Sequence, residues 1–161
     1  MPNHAELEAA REAGLARLET WLGWRFRDRA LLDAALTHRS WANEHGEEAQ
    51  YERLEFLGDA VLGLLAAEWL FRQPRFRNEG ELSLEKAYLI SEPVLARHGA
   101  EAGLGPLLRL GVGEERSGGR NKPSLLADAV EALLGALYLD GGLDAVRGPG
   151  SRLLAAAAGW E

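Results

Sequence analysis

Two greasy stretches of this chain each carry acids spaced about one helical turn apart, and that pattern constrains the fold more than any other. The first, Tyr51-Glu-Arg-Leu-Glu-Phe-Leu-Gly-Asp-Ala-Val-Leu62, holds Glu52, Glu55 and Asp59. The second, Ser124-Leu-Leu-Ala-Asp-Ala-Val-Glu-Ala-Leu-Leu134, holds Asp128 and Glu131. A helix turns about 100° per residue, so Glu55 and Asp59 lie about 40° apart on one face and Asp128 and Glu131 about 60° apart on another. The other positions are mostly Leu, Val, Ala, Phe and Gly. Helices apolar nearly all round are expected to be buried. Carboxylates in such a setting are costly unless a cation meets them.

Like charges one turn apart already cost roughly 0.2–0.5 kcal/mol on an exposed helix, and burial raises that cost. Gly58, Gly63 and Gly135 leave room for close helix contact, at about 1 kcal/mol each in helix propensity. Packed side by side, the two helices would bring four carboxylates together. Four hard oxygens, completed by water and a substrate phosphate, suit Mg²⁺, with Mn²⁺ as a substitute, and do not suit Zn²⁺. The alternative for each acid taken singly is a solvated surface charge.

Length allows one domain with a real core: 161 residues, 47% of them hydrophobic. No cysteine is present, so disulfides and thiolate metal sites are excluded. The net charge of −7 is unlike that of a free-standing nucleic-acid binder. A polyanionic substrate would have to be met by local basic clusters and by metal. Neither a transmembrane run nor a signal peptide is visible, so the expected location is cytoplasmic.

Along the chain, hydrophobic spacing predicts helices over 5–24, with Leu7, Leu15, Leu18 and Leu22 inward, and over 28–39. A polar loop is expected over 41–50, then a long helix over 51–73, a break at 74–80, and helices over 82–91 and 92–102. The Gly-rich segment 105–122 reads as a loop with short turns. Pro123 and Ser124 open the second acid-bearing helix, which should stop at Asp140-Gly-Gly. A further break is expected at Arg147-Gly-Pro-Gly-Ser. No strand-like alternation stands out, so the class is all-α.

The run Glu52-Arg-Leu-Glu-Phe-Leu-Gly-Asp-Ala-Val-Leu62 resembles the signature of the ribonuclease III family. Four companions follow the family's order: Ala35-Leu-Thr-His-Arg-Ser40, Asn78-Glu-Gly-Glu-Leu-Ser83, Gly113-Glu-Glu-Arg-Ser-Gly-Gly119 and Leu126-Ala-Asp-Ala-Val-Glu-Ala-Leu-Leu-Gly-Ala136. The resemblance covers residues 10–146. It implies an all-helical endonuclease domain that pairs as a homodimer and cuts double-stranded RNA. By resemblance, Glu55, Asp59, Asp128 and Glu131 match catalytic, metal-binding acids, and Glu79 matches a further acid of the metal site. Glu52 matches an acid at the dimer interface or the edge of the site, and Phe56 matches a dimer-interface aromatic that inserts into the partner. Metal-assisted hydrolysis would leave 5′-phosphate and 3′-hydroxyl ends, in the processing of ribosomal, messenger or regulatory RNA.

Contacts to RNA are expected from Arg116, Arg120, Asn121 and Lys122, beside the second acid-bearing helix. His38 reads as a capping or packing residue. The domain is expected to span 1–147, with a short tail over 148–161 and no separate double-stranded-RNA-binding domain. An accessory RNA-binding protein would then help hold the substrate. The alternative is a non-catalytic RNA-binding or ribosome-associated relative of the same fold.

Overall fold

The computed structural model describes residues 1–160. Eight helices follow one another: α1 His4–Leu22, α2 Arg29–Ala35, α3 Arg39–Glu44, α4 Tyr51–Phe71, α5 Glu79–Leu89, α6 Glu92–Glu101, α7 Val112–Arg116 and α8 Pro123–Ala158. Two short 3₁₀ turns, Gly105–Leu107 and Gly119–Asn121, flank α7. No strand occurs among the described residues; one parallel bridge pairs Thr37 with Arg109. The all-α expectation therefore holds.

Helix α8 forms the centre, with α4 and α6 packed on it and α2 at one side. Its first part buries Leu125, Leu126, Ala129, Val130, Leu133, Leu134 and Leu137. It runs as predicted to the Gly pair, where Gly142 leaves helical geometry at φ 66°, ψ −159°. That backbone favours glycine over any other residue.

The expected break at Arg147-Gly-Pro-Gly-Ser does not occur. The chain resumes helix after Gly142 and continues through Pro149 to Ala158. Pro149 cannot donate to the Ala145 carbonyl, yet Pro149, Gly150, Leu153, Leu154 and Ala157 are all buried. A β-carbon on Gly150 would stand 2.7 Å from Leu65 Cδ1. Packing against α4 thus overrides the local propensity, and residues 143–158 belong to the same core.

Four other expectations need correcting. The helix predicted over 28–39 is two helices. Asp28 caps α2 by accepting from the Ala30 N–H, and α2 ends at Ala35. Arg109 then intervenes, donating its N–H to the Leu36 carbonyl at 2.8 Å and accepting from the His38 N–H at 3.0 Å. His38 restarts the chain as the cap of α3, accepting the Ser40 N–H on Nδ1, so the loop predicted over 41–50 is helical through Glu44. Leu7 is exposed, because the first turns of α1 extend past the core, which begins at Leu15. Finally, α4 is not buried all round: Phe56, Leu64 and Phe71 stand exposed along it.

Candidate metal centre

The two acid-bearing helices cross where neither has a side chain. A β-carbon on Gly58 would overlap the Glu131 carbonyl oxygen, and one on Gly135 would overlap the Leu54 carbonyl oxygen. Only glycine permits that approach. Around the crossing, a cleft of about 670 Å³ opens between α4 and α8. Glu55, Asp59, Asp128 and Glu131 all line it. Glu55, Asp128 and Glu131 each offer a carboxylate oxygen, and these three lie within 4.8 Å of one another.

So many acids in one partly dry cleft bind protons where isolated ones would not. Glu131 is pushed up to about 8, first by burial, then by its hydrogen bond to Asp59 and by the charges of Asp59, Glu55 and Asp128. Glu55 is pushed up to about 7, first by burial, then by the charge of Asp128 and a hydrogen bond to it. Asp128 is raised as well, chiefly by burial. Glu55 and Glu131 therefore hold their protons to higher pH than isolated glutamates, next to Asp128 and Asp59. Removing those protons leaves a cluster that demands a cation. The donor set is carboxylate oxygen only, which fits a hard divalent ion.

Glu52 sits at the cleft edge, paired with Arg39 at 2.9 Å. Phe56 is 82% exposed and borders both this cleft and an apolar cavity of about 780 Å³ lined by Leu31, Ala34, Leu54, Leu57 and Leu139. Glu79 is not brought to the other acids: it opens α5 and accepts from Ser83 Oγ at 2.6 Å.

The four basic-loop candidates divide. Arg116 and Asn121 are exposed. Lys122 binds Glu114 at 3.1 Å and Ser117 Oγ at 3.0 Å. Arg120 does not face solvent as a free charge. Its guanidinium donates to the Gly105 and Leu108 carbonyls and pairs with Glu115, which closes the turn before α8.

His38, Arg39, Tyr51 and Glu114 also line the cleft, and sequence reasoning gave none of them a place there. For Glu114 a signal existed in the Gly113–Gly119 motif. The segment bearing it is tied to α3: the Gly111 N–H donates to Ser40 Oγ and the Val112 N–H to the Glu44 carboxylate, both at 2.8 Å.

Comparison with known proteins agrees with this geometry. Residues 28–154 match the family described as ribonuclease-III-like. The chain is 52% identical over 134 residues to Ribonuclease 3 of Caldanaerobacter subterraneus subsp. tengcongensis, covering 83% of this chain and 59% of that protein. To Ribonuclease 3 of Syntrophobacter fumaroxidans it is 53% identical over 137 residues, covering 84% and 57%. It therefore spans less than two thirds of the length of these curated relatives. The nuclease domain of ribonuclease III from Campylobacter jejuni superimposes with a TM-score of 0.81 at 40% identity, covering 88% of this chain and 96% of that one. That structure is described as flexible in a region involved in dimer formation. Matched span, all-helical fold and two crossing acid-bearing helices lead to one statement: the chain belongs to the ribonuclease-III-like family.

Proposed function

We propose that this chain is the nuclease part of a divalent-metal-dependent endoribonuclease. It cuts double-stranded RNA to 5′-phosphate and 3′-hydroxyl ends during RNA processing in the cytoplasm. The observation that carries this reading is the convergence of Glu55, Asp128 and Glu131 oxygens within 4.8 Å, with Asp59 bonded to Glu131. These four acids would hold Mg²⁺, or Mn²⁺ in its place. Bound there, such an ion supplies an activated water, a neutralised phosphoryl oxygen and a stabilised leaving oxygen.

The chain's own residues do the rest. Glu55 and Glu131, raised by burial and by their acidic neighbours, would give up their protons as the site loads. Arg39, neutralised in part by Glu52, is a cation at the cleft edge that can meet a phosphate. Arg116, without a partner among the described residues, offers a second. Duplex RNA is read through phosphates and 2′-hydroxyls, which suits such sparse, sequence-blind contacts.

A homodimer completes the arrangement. Phe56 is too exposed to belong to the protomer core, and the apolar cavity beside it would receive the Phe56 of a second copy. Two clefts in one dimer would then address the two strands. An accessory RNA-binding protein, and Glu79 reaching the metal site through water from outside the cluster, are finer parts of the same proposal. No described helix is long and apolar enough to cross a membrane.

Incubating the chain with a long perfect RNA duplex, with Mg²⁺ or with EDTA, tests this. Mg²⁺-dependent shortening of the duplex to fragments with 5′-phosphate ends is the expected result. A folded dimer that leaves the duplex intact in Mg²⁺ at every salt concentration would favour a binding role.

A further inference from the structure

Tyr51 is the first residue of α4 and one of its least exposed, at 2%. Its ring lines the acidic cleft and meets the His38 ring edge-on at 5.5 Å. Its hydroxyl donates to the Leu125 carbonyl, in the first turn of α8, at 3.3 Å. A buried phenol needs such a partner. The placement is what matters. Tyr51 precedes Glu55 by four residues and Leu125 precedes Asp128 by three. The bond therefore joins the two helices one turn before the acids each contributes.

The glycine crossing at Gly58 and Gly135 is a pivot. Beyond that crossing the helices are held again where Gly150 packs on Leu65; ahead of it, beside the acids, the Tyr51–Leu125 bond ties them. Glu55 and Asp128 lie on the Tyr51 side of that pivot in both sequences. Rotation about the pivot would change their separation. We infer that Tyr51 is a positioning residue for the metal centre: its hydroxyl-to-Leu125 bond fixes the spacing of Glu55 and Asp128 and thereby sets the cleft's affinity for a divalent cation.

The electrostatics agree with that placement. Ionisation of the Tyr51 phenol is strongly disfavoured, first by burial and then by the charges of Asp128, Glu55 and Glu131. The hydroxyl thus stays a hydrogen-bond donor beside these acids. A group that orients metal-binding carboxylates without touching the ion typically changes metal affinity by 10- to 100-fold.

This inference rests on the metal-centre reading above, and the test separates the two. Mn²⁺ is titrated by calorimetry into the EDTA-stripped full chain, into Tyr51→Phe and into Glu131→Gln, with melting temperatures recorded for each. Tyr51→Phe keeps the ring and removes only the hydroxyl. The expected result is wild-type binding, loss of binding in Glu131→Gln, and binding weakened roughly tenfold in Tyr51→Phe at a nearly unchanged melting temperature. The Mg²⁺ concentration for half-maximal cleavage should rise by the same factor. Unaltered Mn²⁺ affinity in Tyr51→Phe would overturn the inference alone. Absence of Mn²⁺ binding in the wild type would overturn the metal centre and this inference with it. A readout without any substitution is the ¹⁹F signal of Tyr51 in chain labelled with 3-fluorotyrosine. It should move on Mg²⁺ addition, and a signal that stays in place counts against the inference.

Discussion

Gly58 lies directly against the backbone carbonyl of Glu131, so closely that no β-carbon can stand between them. The contact couples the two acid-bearing helices at the level of their carboxylates. Gly58→Ala must push α4 from α8, and overpacking of this kind costs about 3 kcal/mol or more when backbone has to move. Urea denaturation should show that loss. A variant as stable as the wild type would mean that the helices are not held at this crossing.

The crowded acids make metal-free stability fall as pH rises. Glu55 and Glu131 have folded-state pKa values raised to about 7 and about 8. Their protonated forms are favoured by folding, so their contribution is present at low pH and is lost as pH rises through those values. His98, buried against Trp160 and lowered to about 4 by burial, has the opposite sign, its contribution being lost as pH falls below about 6.5. Between pH 6.5 and 8 the acids therefore dominate. In EDTA the melting temperature should drop across this window, and Mg²⁺ should flatten or reverse the drop. A rising melting temperature in EDTA would contradict the arrangement.

Two neighbouring arginines should behave differently. Arg120 closes the turn before α8 through the Gly105 and Leu108 carbonyls, so Arg120→Ala should destabilise the fold by about 2 kcal/mol. Arg116 is exposed and has no partner among the described residues, so Arg116→Ala should leave stability within about 0.5 kcal/mol. If Arg116 meets phosphate, its loss should lower the salt dependence of duplex binding by about one unit of slope. Denaturation and salt-titrated binding of the two variants separate the roles.

Phe56, exposed in the protomer beside an apolar cavity, should matter for association and hardly at all for the protomer itself. Phe56→Ala should weaken the dimer roughly thirtyfold or more, as loss of a central aromatic anchor does. Sedimentation over a concentration series reads this directly. Equal dimer affinity would place the interface elsewhere.

The acid pairs were legible because their spacing and their apolar neighbours obey helical geometry, and the glycines between them announced a close crossing. Short elements were not legible: α3 and α7, six and five residues long, hold too few turns for a periodic signal, and their position depends on long-range bonds from Arg109, Ser40 and Glu44. The helix through Pro149 was missed for a related reason, since only its burial against α4 outweighs proline's local cost. Arg120 reads as surface charge in the sequence because its partners are backbone carbonyls, which no side-chain pattern reveals. Tyr51 was hidden by its place beside the signature, where an aromatic residue looks like core.

Most direct is a comparison of wild-type chain and Glu131→Gln on an end-labelled RNA duplex while Mg²⁺ is titrated. Wild type should cleave with a Mg²⁺ dependence that saturates. Glu131→Gln should retain the fold and duplex binding yet cleave at least a hundredfold more slowly, because it removes one of the three converging carboxylates proposed to hold the metal. Glu131→Gln that cleaves like wild type, at the same Mg²⁺ concentrations, would contradict the claim that the crossing of α4 and α8 is where the chemistry happens.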